Sequence, residues 1–190
     1  MKRVMWTTCA AAFACALLAG TQEARADVAL AGDVDLAIPI DQAPQRYLAT
    51  GAGLDLRAGY RFRIPYQHIA ITPELAAGFT DLSAHMIRVR PGLRVGFGRL
   101  LVPYAYAHLG WGLASFDPIG TRDTSPNATF VSASGLSFDF GAGLDVTILR
   151  RFTVGAHLGY NVMNVGTTAR TPLDWRSKWM SFGLNATLYL

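Results

Sequence analysis

Apolar and polar residues alternate along eight segments of this chain, and within these segments every charged residue falls in the polar phase. In the fourth segment, for example, Val89, Leu93 and Val95 share one phase, and Arg90 and Arg94 share the other. A period of two predicts β-strands with one apolar and one polar face. The predicted strands cover approximately residues 28–38, 48–62, 68–80, 86–98, 101–114, 136–148, 152–162 and 179–190.

The distribution of charge between the two faces predicts which face meets lipid. Strands of transmembrane barrels alternate between an apolar outer face and a polar inner face. A slip of one residue would turn every arginine of a strand outward, at about 2–4 kcal/mol each near the bilayer midplane. We therefore predict an all-β fold, an eight-stranded antiparallel up-and-down transmembrane β-barrel.

The connections between the predicted strands alternate in length. Those around residues 63–65, 98–100 and 149–151 are tight and basic. Those around 39–47, 115–135 and 163–178 are long and polar, although the connection near Asp81–Ala84 on the same side is short. Bacterial outer-membrane barrels have short periplasmic turns and longer external loops. The pattern therefore predicts an orientation as well as a fold.

The first 26 residues have the features of a secretory signal peptide: a basic start, a short apolar stretch and an Ala24–Ala26 cleavage motif. We expect residues 1–26 to be cleaved and residues 27–190 to form the barrel. Cys9 and Cys15 would leave with the peptide, which excludes disulfides and thiolate chemistry in the mature chain. Its removal reduces 17 basic and 13 acidic residues to 14 and 12, so nothing in the charge favours a nucleic-acid partner.

The predicted inward phase contains six acidic and five basic residues. The lumen of an eight-stranded barrel is only wide enough for side chains, and buried charges must be paired. We therefore expect a cross-linked plug, with Glu74 close to Arg88 or Arg90; a proton or ion path, or an anion site along the arginines, is the functional alternative. The expected lumen network is Asp33, Asp35, Asp55, Arg57, Arg61, Glu74, Arg88, Arg90, Arg94, Asp139 and Asp145.

Three histidines, His68, His108 and His157, are predicted to lie in the lumen on separate strands. They lack the close spacing of metal ligands. We therefore expect satisfied core side chains, with no metal site and no cofactor.

A serine, a histidine and a carboxylate, which enzymes that modify outer-leaflet lipid need at their outer rim, occur together near one external loop as Ser83, His85 and Asp81. Ordinary turn chemistry explains the same residues. We therefore predict no catalytic residues and no enzyme activity.

Aromatic residues of the apolar phase are predicted near both ends of the strands, as in the interfacial girdles of membrane barrels. They are Phe62, Phe97 and Phe152 near the short turns, and Phe79, Trp111 and Phe138 near the loops. Three prolines, Pro73, Pro91 and Pro103, also fall within strands. Because proline cannot donate to a ladder, we expect local bulges there.

The segments Phe138–Asp145 and Val154–Tyr160 resemble the small outer-membrane β-barrel family of the OmpA, OmpX and OmpW type, and the resemblance extends over the predicted mature chain. It implies an eight-stranded barrel whose closing strand is read by the barrel-insertion machinery. The family's closing strand ends in an aromatic residue, whereas this one ends in Leu190.

The sequence therefore predicts a bacterial outer-membrane barrel with a filled polar lumen and a structural, surface-interaction or porin-like role. Its expected partners are outer-membrane lipid, lipopolysaccharide and the insertion machinery, and the expected state is a monomer. Two alternatives stay open: a lipid-modifying enzyme on the same barrel, and a secreted lipocalin-like carrier. The carrier would have an apolar interior and a polar exterior.

Overall fold

The computed structural model describes residues 26–40, 50–64, 67–82, 84–116, 131–165 and 175–190. The predicted signal peptide before Ala26 and the three long connections lie outside these residues. The strands are β1 (Ala26–Pro39), β2 (Gly51–Ile64), β3 (Ile69–Asp81), β4 (Ala84–Phe97), β5 (Leu101–Phe116), β6 (Val131–Leu149), β7 (Phe152–Val165) and β8 (Trp175–Tyr189).

Each strand pairs antiparallel with its neighbours in sequence, and β8 pairs with β1 to close the barrel. At the seam Val28 N donates to Leu190 O at 3.2 Å, and Leu190 N donates to Val28 O at 2.9 Å. The predicted all-β fold is therefore confirmed. Several strands are longer than predicted; in particular, β6 begins at Val131 and β8 at Trp175, each at least four residues before the predicted start. Within the described ranges there is no helix with the length and hydropathy needed to span a membrane.

The stagger of the strands fixes the width of the barrel. A circuit that starts at Ala29 and steps to the paired residue on each next strand returns to β1 at Pro39, ten positions further along. Eight strands with this stagger have a tilt of about 40° and a backbone radius of about 8 Å. Such a bore is filled by side chains.

We call the end with the connections at 65–68, 98–100 and 150–151 the turn end, and the opposite end the loop end. The outer wall between them is apolar: Leu184 is 70% exposed and Leu56 is 60% exposed, whereas the inward Arg90 and Asp145 are each 1% exposed. This arrangement contradicts the carrier alternative, which needs an apolar interior. Among the described strands, charged residues of the outward phase occur only at the loop end, at Asp81, Arg176 and Lys178.

The expected bulges at the prolines are not present. Pro73 pairs in register with Leu93, and Pro91 with Leu75, so the β3–β4 ladder is unbroken. Each of these two prolines interrupts the ladder on its other side without changing the register. A missing N–H removes one hydrogen bond, which the surrounding ladder tolerates. The register shift in the described ladders lies at residues 147–149, near the turn end.

Candidate functional site in the barrel lumen

The eleven charged residues predicted for the lumen network all lie on inward-facing positions of the strands. Ten of them are buried, and Asp55 is half-buried. Charges with so little access to water are stable only when they are paired and hydrogen-bonded. The pairing below accounts for most of them.

Arg57 on β2 binds two carboxylates. Its Nε and Nη2 donate to the two oxygens of Asp33 on β1, both at 2.7 Å, and its Nη1 donates to Glu74 Oε1 on β3 at 3.2 Å. The parallel pair of bonds to Asp33 is the strongest geometry available to a guanidinium and a carboxylate. Glu74 therefore pairs with Arg57, whereas its predicted neighbours Arg88 and Arg90 form their ion pairs with other carboxylates. The strands are tilted, so the nearest charge lies across a different strand boundary.

His108 on β5 joins Glu74 to Asp139. Its Nε2 lies 3.0 Å from Glu74 Oε1, and its Nδ1 lies 2.9 Å from Asp139 Oδ2. A neutral imidazole has one N–H, so it can donate to one of these oxygens only. Two bonds require a second proton in the Glu74–His108–Asp139 group. His108 is therefore a cross-link of the network, which agrees with its predicted role as a core side chain.

Arg90 on β4 extends the chain of contacts. Its Nη1 donates to Asp139 Oδ1 at 2.7 Å, and its Nη2 donates to Asp55 Oδ1 at 2.5 Å. The guanidinium thus bridges β6 and β2 across the bore. Removing it would leave two inward carboxylates without their strongest partner.

Arg88, two residues earlier on the same face of β4, ends the sequence of contacts. It donates to Thr80 Oγ1 at 2.8 Å and to Asn161 Oδ1 at 2.9 Å. Its guanidinium also lies 3.8 Å from Asp55 and 4.9 Å from the centre of the Trp179 ring. We call the connected set the central network: Asp33, Arg57, Glu74, His108, Asp139, Arg90, Asp55 and Arg88.

A second group of polar residues lies toward the turn end. Arg94 forms a close ion pair with Asp145 and stacks 3.6 Å above the Tyr104 ring centre. Asn185 Nδ2 donates to Asp145 Oδ1 at 3.1 Å. Arg61 lies closer still to the turn end, with its guanidinium 4.3 Å above the Tyr189 ring, and no described carboxylate lies within 4 Å of it.

A small cavity remains beside the central network. Its volume is about 20 Å³, which is enough for a water molecule. His157 Nε2 lies 2.9 Å from Asp35 Oδ1 on its wall. Two tyrosines, Tyr104 and Tyr106, line the same space. The described side chains therefore fill the lumen around this water-sized gap.

Apolar side chains, which were not predicted there, fill the loop end of the lumen. Trp179, Met86 and Met163 are each at most 1% exposed. The signal was present in the sequence, since Met86 shares the inward phase of Arg88 and Trp179 that of Asn185. We call this set the apolar layer: Ala37, Leu82, Ala84, Met86, Ala114, Met163 and Trp179.

His68 does not lie in the lumen, contrary to the prediction. It is an exposed turn residue with a φ of 53°, and its Nδ1 accepts a hydrogen bond from Arg99 Nε at 3.0 Å. The chain reverses direction before β3 begins at Ile69, so the alternation does not extend to His68. Within the described part of the chain, no three or more His, Cys, Asp and Glu side chains form a group suited to a metal.

The six aromatic residues predicted for the interfaces all belong to the outward phase. Phe97 and Trp111 are more than half exposed, at 57% and 53%, and Phe79 and Phe138 are exposed as well. Phe62 and Phe152 are partly covered by neighbouring side chains. The aromatic rings therefore belong to the outer wall of the barrel.

The candidate catalytic residues Asp81 and His85 do not form a hydrogen-bonded pair. His85 Nδ1 lies 3.7 Å from Asp81 Oδ1, beyond hydrogen-bonding distance, and both side chains are about half exposed. Ser83 lies outside the described residues. The geometry does not form a base oriented by a carboxylate.

No protein-family model matches the chain, and no curated protein matches it. Among solved structures, it is similar to the N-terminal β-barrel domain of Pseudomonas aeruginosa OprF (TM-score 0.56, 15% identity, 88% of this chain and 100% of that chain). It is also similar to neisserial surface protein A (0.51, 16%, 85% and 97%) and to Ail of Yersinia pestis (0.51, 15%, 89% and 100%). The chain therefore has the fold of the small eight-stranded outer-membrane barrels, as predicted.

Proposed function

We propose that this chain is a monomeric integral protein of the bacterial outer membrane whose lumen is closed by its own side chains. The observation that carries the proposal is the reversed sidedness: an apolar wall surrounds an interior of paired charges. An outer wall of this kind is stable in hydrocarbon and insoluble in water. The predicted signal peptide would direct the chain across the inner membrane.

A structural or surface-interaction role fits this barrel better than a porin-like role. Permeation needs a continuous aqueous path, whereas the central network and the apolar layer both cross the bore. The protein would stabilise the envelope and present its loop end to lipopolysaccharide or to other partners. The insertion machinery would bring it into the membrane.

Two measurements test the proposal. Cell fractionation followed by gel migration with and without boiling should place the protein in the outer membrane as a heat-modifiable band. Single-channel recordings in planar bilayers should give no large stable conductance. A mature protein that stays soluble without detergent would refute the membrane assignment, and a steady open channel would refute the closed lumen.

A further inference from the structure

The turn end is a continuous surface because its connections are hydrogen-bonded to one another or to the neighbouring strand ends. The backbone hydrogen bonds that join them are each 2.8 Å long: Gly98 N to His68 O, Thr147 N to Leu100 O, and Tyr189 N to Arg151 O. Gly98 has a φ of 120°, and a Cβ there would lie 2.1 Å from Leu101 O. A glycine is therefore required for this turn. We call the surface formed by these connections and the strand ends beside them the turn rim.

The turn rim is strongly basic. Its exposed residues include four arginines, Arg63, Arg99, Arg150 and Arg151. Opposite them, the acidic side chain with access to solvent at the described turn end is Asp27, which lies 3.3 Å from Arg63. Three arginines on two neighbouring connections thus have no described carboxylate within 4 Å.

Exposed leucines lie directly beside these arginines. Leu100 is 66% exposed next to Arg99, and Leu149 is 65% exposed next to Arg150. Each is next in sequence to an exposed apolar residue of the outer wall, Leu101 and Ile148 respectively. A border at which aliphatic side chains give way to arginine matches the boundary between acyl chains and headgroups of a bilayer.

We propose that the turn rim binds the phosphate groups of anionic phospholipids in the leaflet that surrounds this end of the barrel. The guanidinium groups of Arg99, Arg150 and Arg151 would donate to phosphate oxygens, whose geometry they match. Leu100 and Leu149 would contact the first acyl carbons. The proposal rests on the membrane insertion proposed above. A lipid is favoured over a soluble partner because the leucines are continuous with the lipid-facing wall.

The test uses the full barrel reconstituted in nanodiscs of phosphatidylcholine with and without phosphatidylglycerol. Native mass spectrometry after detergent release counts the lipids that each protein retains. We expect wild type to retain phosphatidylglycerol in preference to phosphatidylcholine at low ionic strength. The variant R99Q/R150Q/R151Q should lose this preference by about fivefold for each arginine removed. Added salt should weaken it in wild type as well.

The matched control is Arg176→Gln, which removes an exposed arginine at the loop end. It should retain phosphatidylglycerol as wild type does. Equal retention of both lipids by wild type, an unchanged preference in the triple variant, or an equal loss in the control would each overturn the proposal. Heat-modifiable migration of every sample separates these outcomes from a failure to insert, which would count against the proposed function instead.

Discussion

The central network and the apolar layer occupy the same bore and fill it by opposite means. The network holds charged groups at 2.5–3.2 Å in directed bonds, whereas the layer holds Trp179 and two methionines by packing. Trp179 also connects the two regions, because it packs in the layer while Arg88 of the network lies over its ring. The comparison shows that closure does not depend on one kind of interaction. The network depends on the distances and angles of its hydrogen bonds, whereas the layer depends on how fully its side chains fill the available volume.

The largest effect should come from breaking the network at Arg90. Arg90→Met keeps most of the side-chain volume but leaves Asp55 and Asp139 without their closest cation. Removing one partner of a buried ion pair costs about 3–5 kcal/mol. Urea unfolding in lipid vesicles, followed by tryptophan fluorescence, measures the loss of unfolding free energy.

Arg63→Met is the control for this experiment. Its ion pair with Asp27 is 3.3 Å long, and the Arg63 side chain is 47% exposed. Exposed pairs contribute about 0–1 kcal/mol. Equal losses in the two variants would show that burial adds nothing to the network.

The next largest loss of unfolding free energy is expected from a substitution in the apolar layer. Trp179→Ala removes the largest fully buried side chain of the barrel among the described residues and leaves a cavity, which should cost about 3 kcal/mol in unfolding free energy. Trp179→Phe keeps an aromatic ring and should lose clearly less. The same vesicle unfolding assay compares them. Identical stability of the alanine and phenylalanine variants would contradict packing as the basis of the layer.

A smaller effect is expected from crowding the network. A Cβ added at Gly92 would lie 2.0 Å from His108 Cδ2 and 2.4 Å from Ala107 O. Gly92→Ala should therefore cost about 1–3 kcal/mol by overpacking. In Gly32→Ala the new Cβ would meet Leu56 Cδ2 at 3.7 Å, an ordinary contact. Its unfolding midpoint should match or exceed that of wild type, and a loss equal to that of Gly92→Ala would argue against steric crowding.

The smallest effect is expected from substitutions outside the central network and the apolar layer. Replacing Ser83 and His85 by alanine should leave the lipid A profile of the host unchanged, since the 3.7 Å separation of His85 and Asp81 gives no oriented base. Mass spectrometry of extracted lipid A is the measurement. An altered acylation pattern would instead establish the alternative that the protein is a lipid-modifying enzyme.

The fold could be predicted because the alternation within each strand distinguishes its apolar face from its polar face. The period-two pattern around Arg88, Arg90 and Arg94 already distinguishes the two faces of β4, without reference to any other strand. The number of strands then follows from counting. Strand ends were less certain, since Trp175 and Val131 lie beyond the part of each strand where the alternation is clear.

The contacts inside the lumen could not be predicted to the same extent. Which carboxylate meets which guanidinium depends on the stagger of the whole barrel, and this is why Glu74 binds Arg57 and His108 instead of Arg88 or Arg90. The apolar layer was missed for a related reason. Met86 and Trp179 come together only after the barrel closes, so neither is conspicuous on its own strand.

The seam between β1 and β8 has a consequence for biogenesis. The hydrogen bonds between Val28 and Leu190 join the first strand of the barrel to the eighth. Until β8 arrives, β1 presents an edge whose amides have no partner, and hydrocarbon cannot solvate them. Stepwise, strand-by-strand entry into a bare bilayer is thus penalised at every stage before the last. Assembly has to wait until all eight strands are available, or take place where another protein supplies a temporary partner strand.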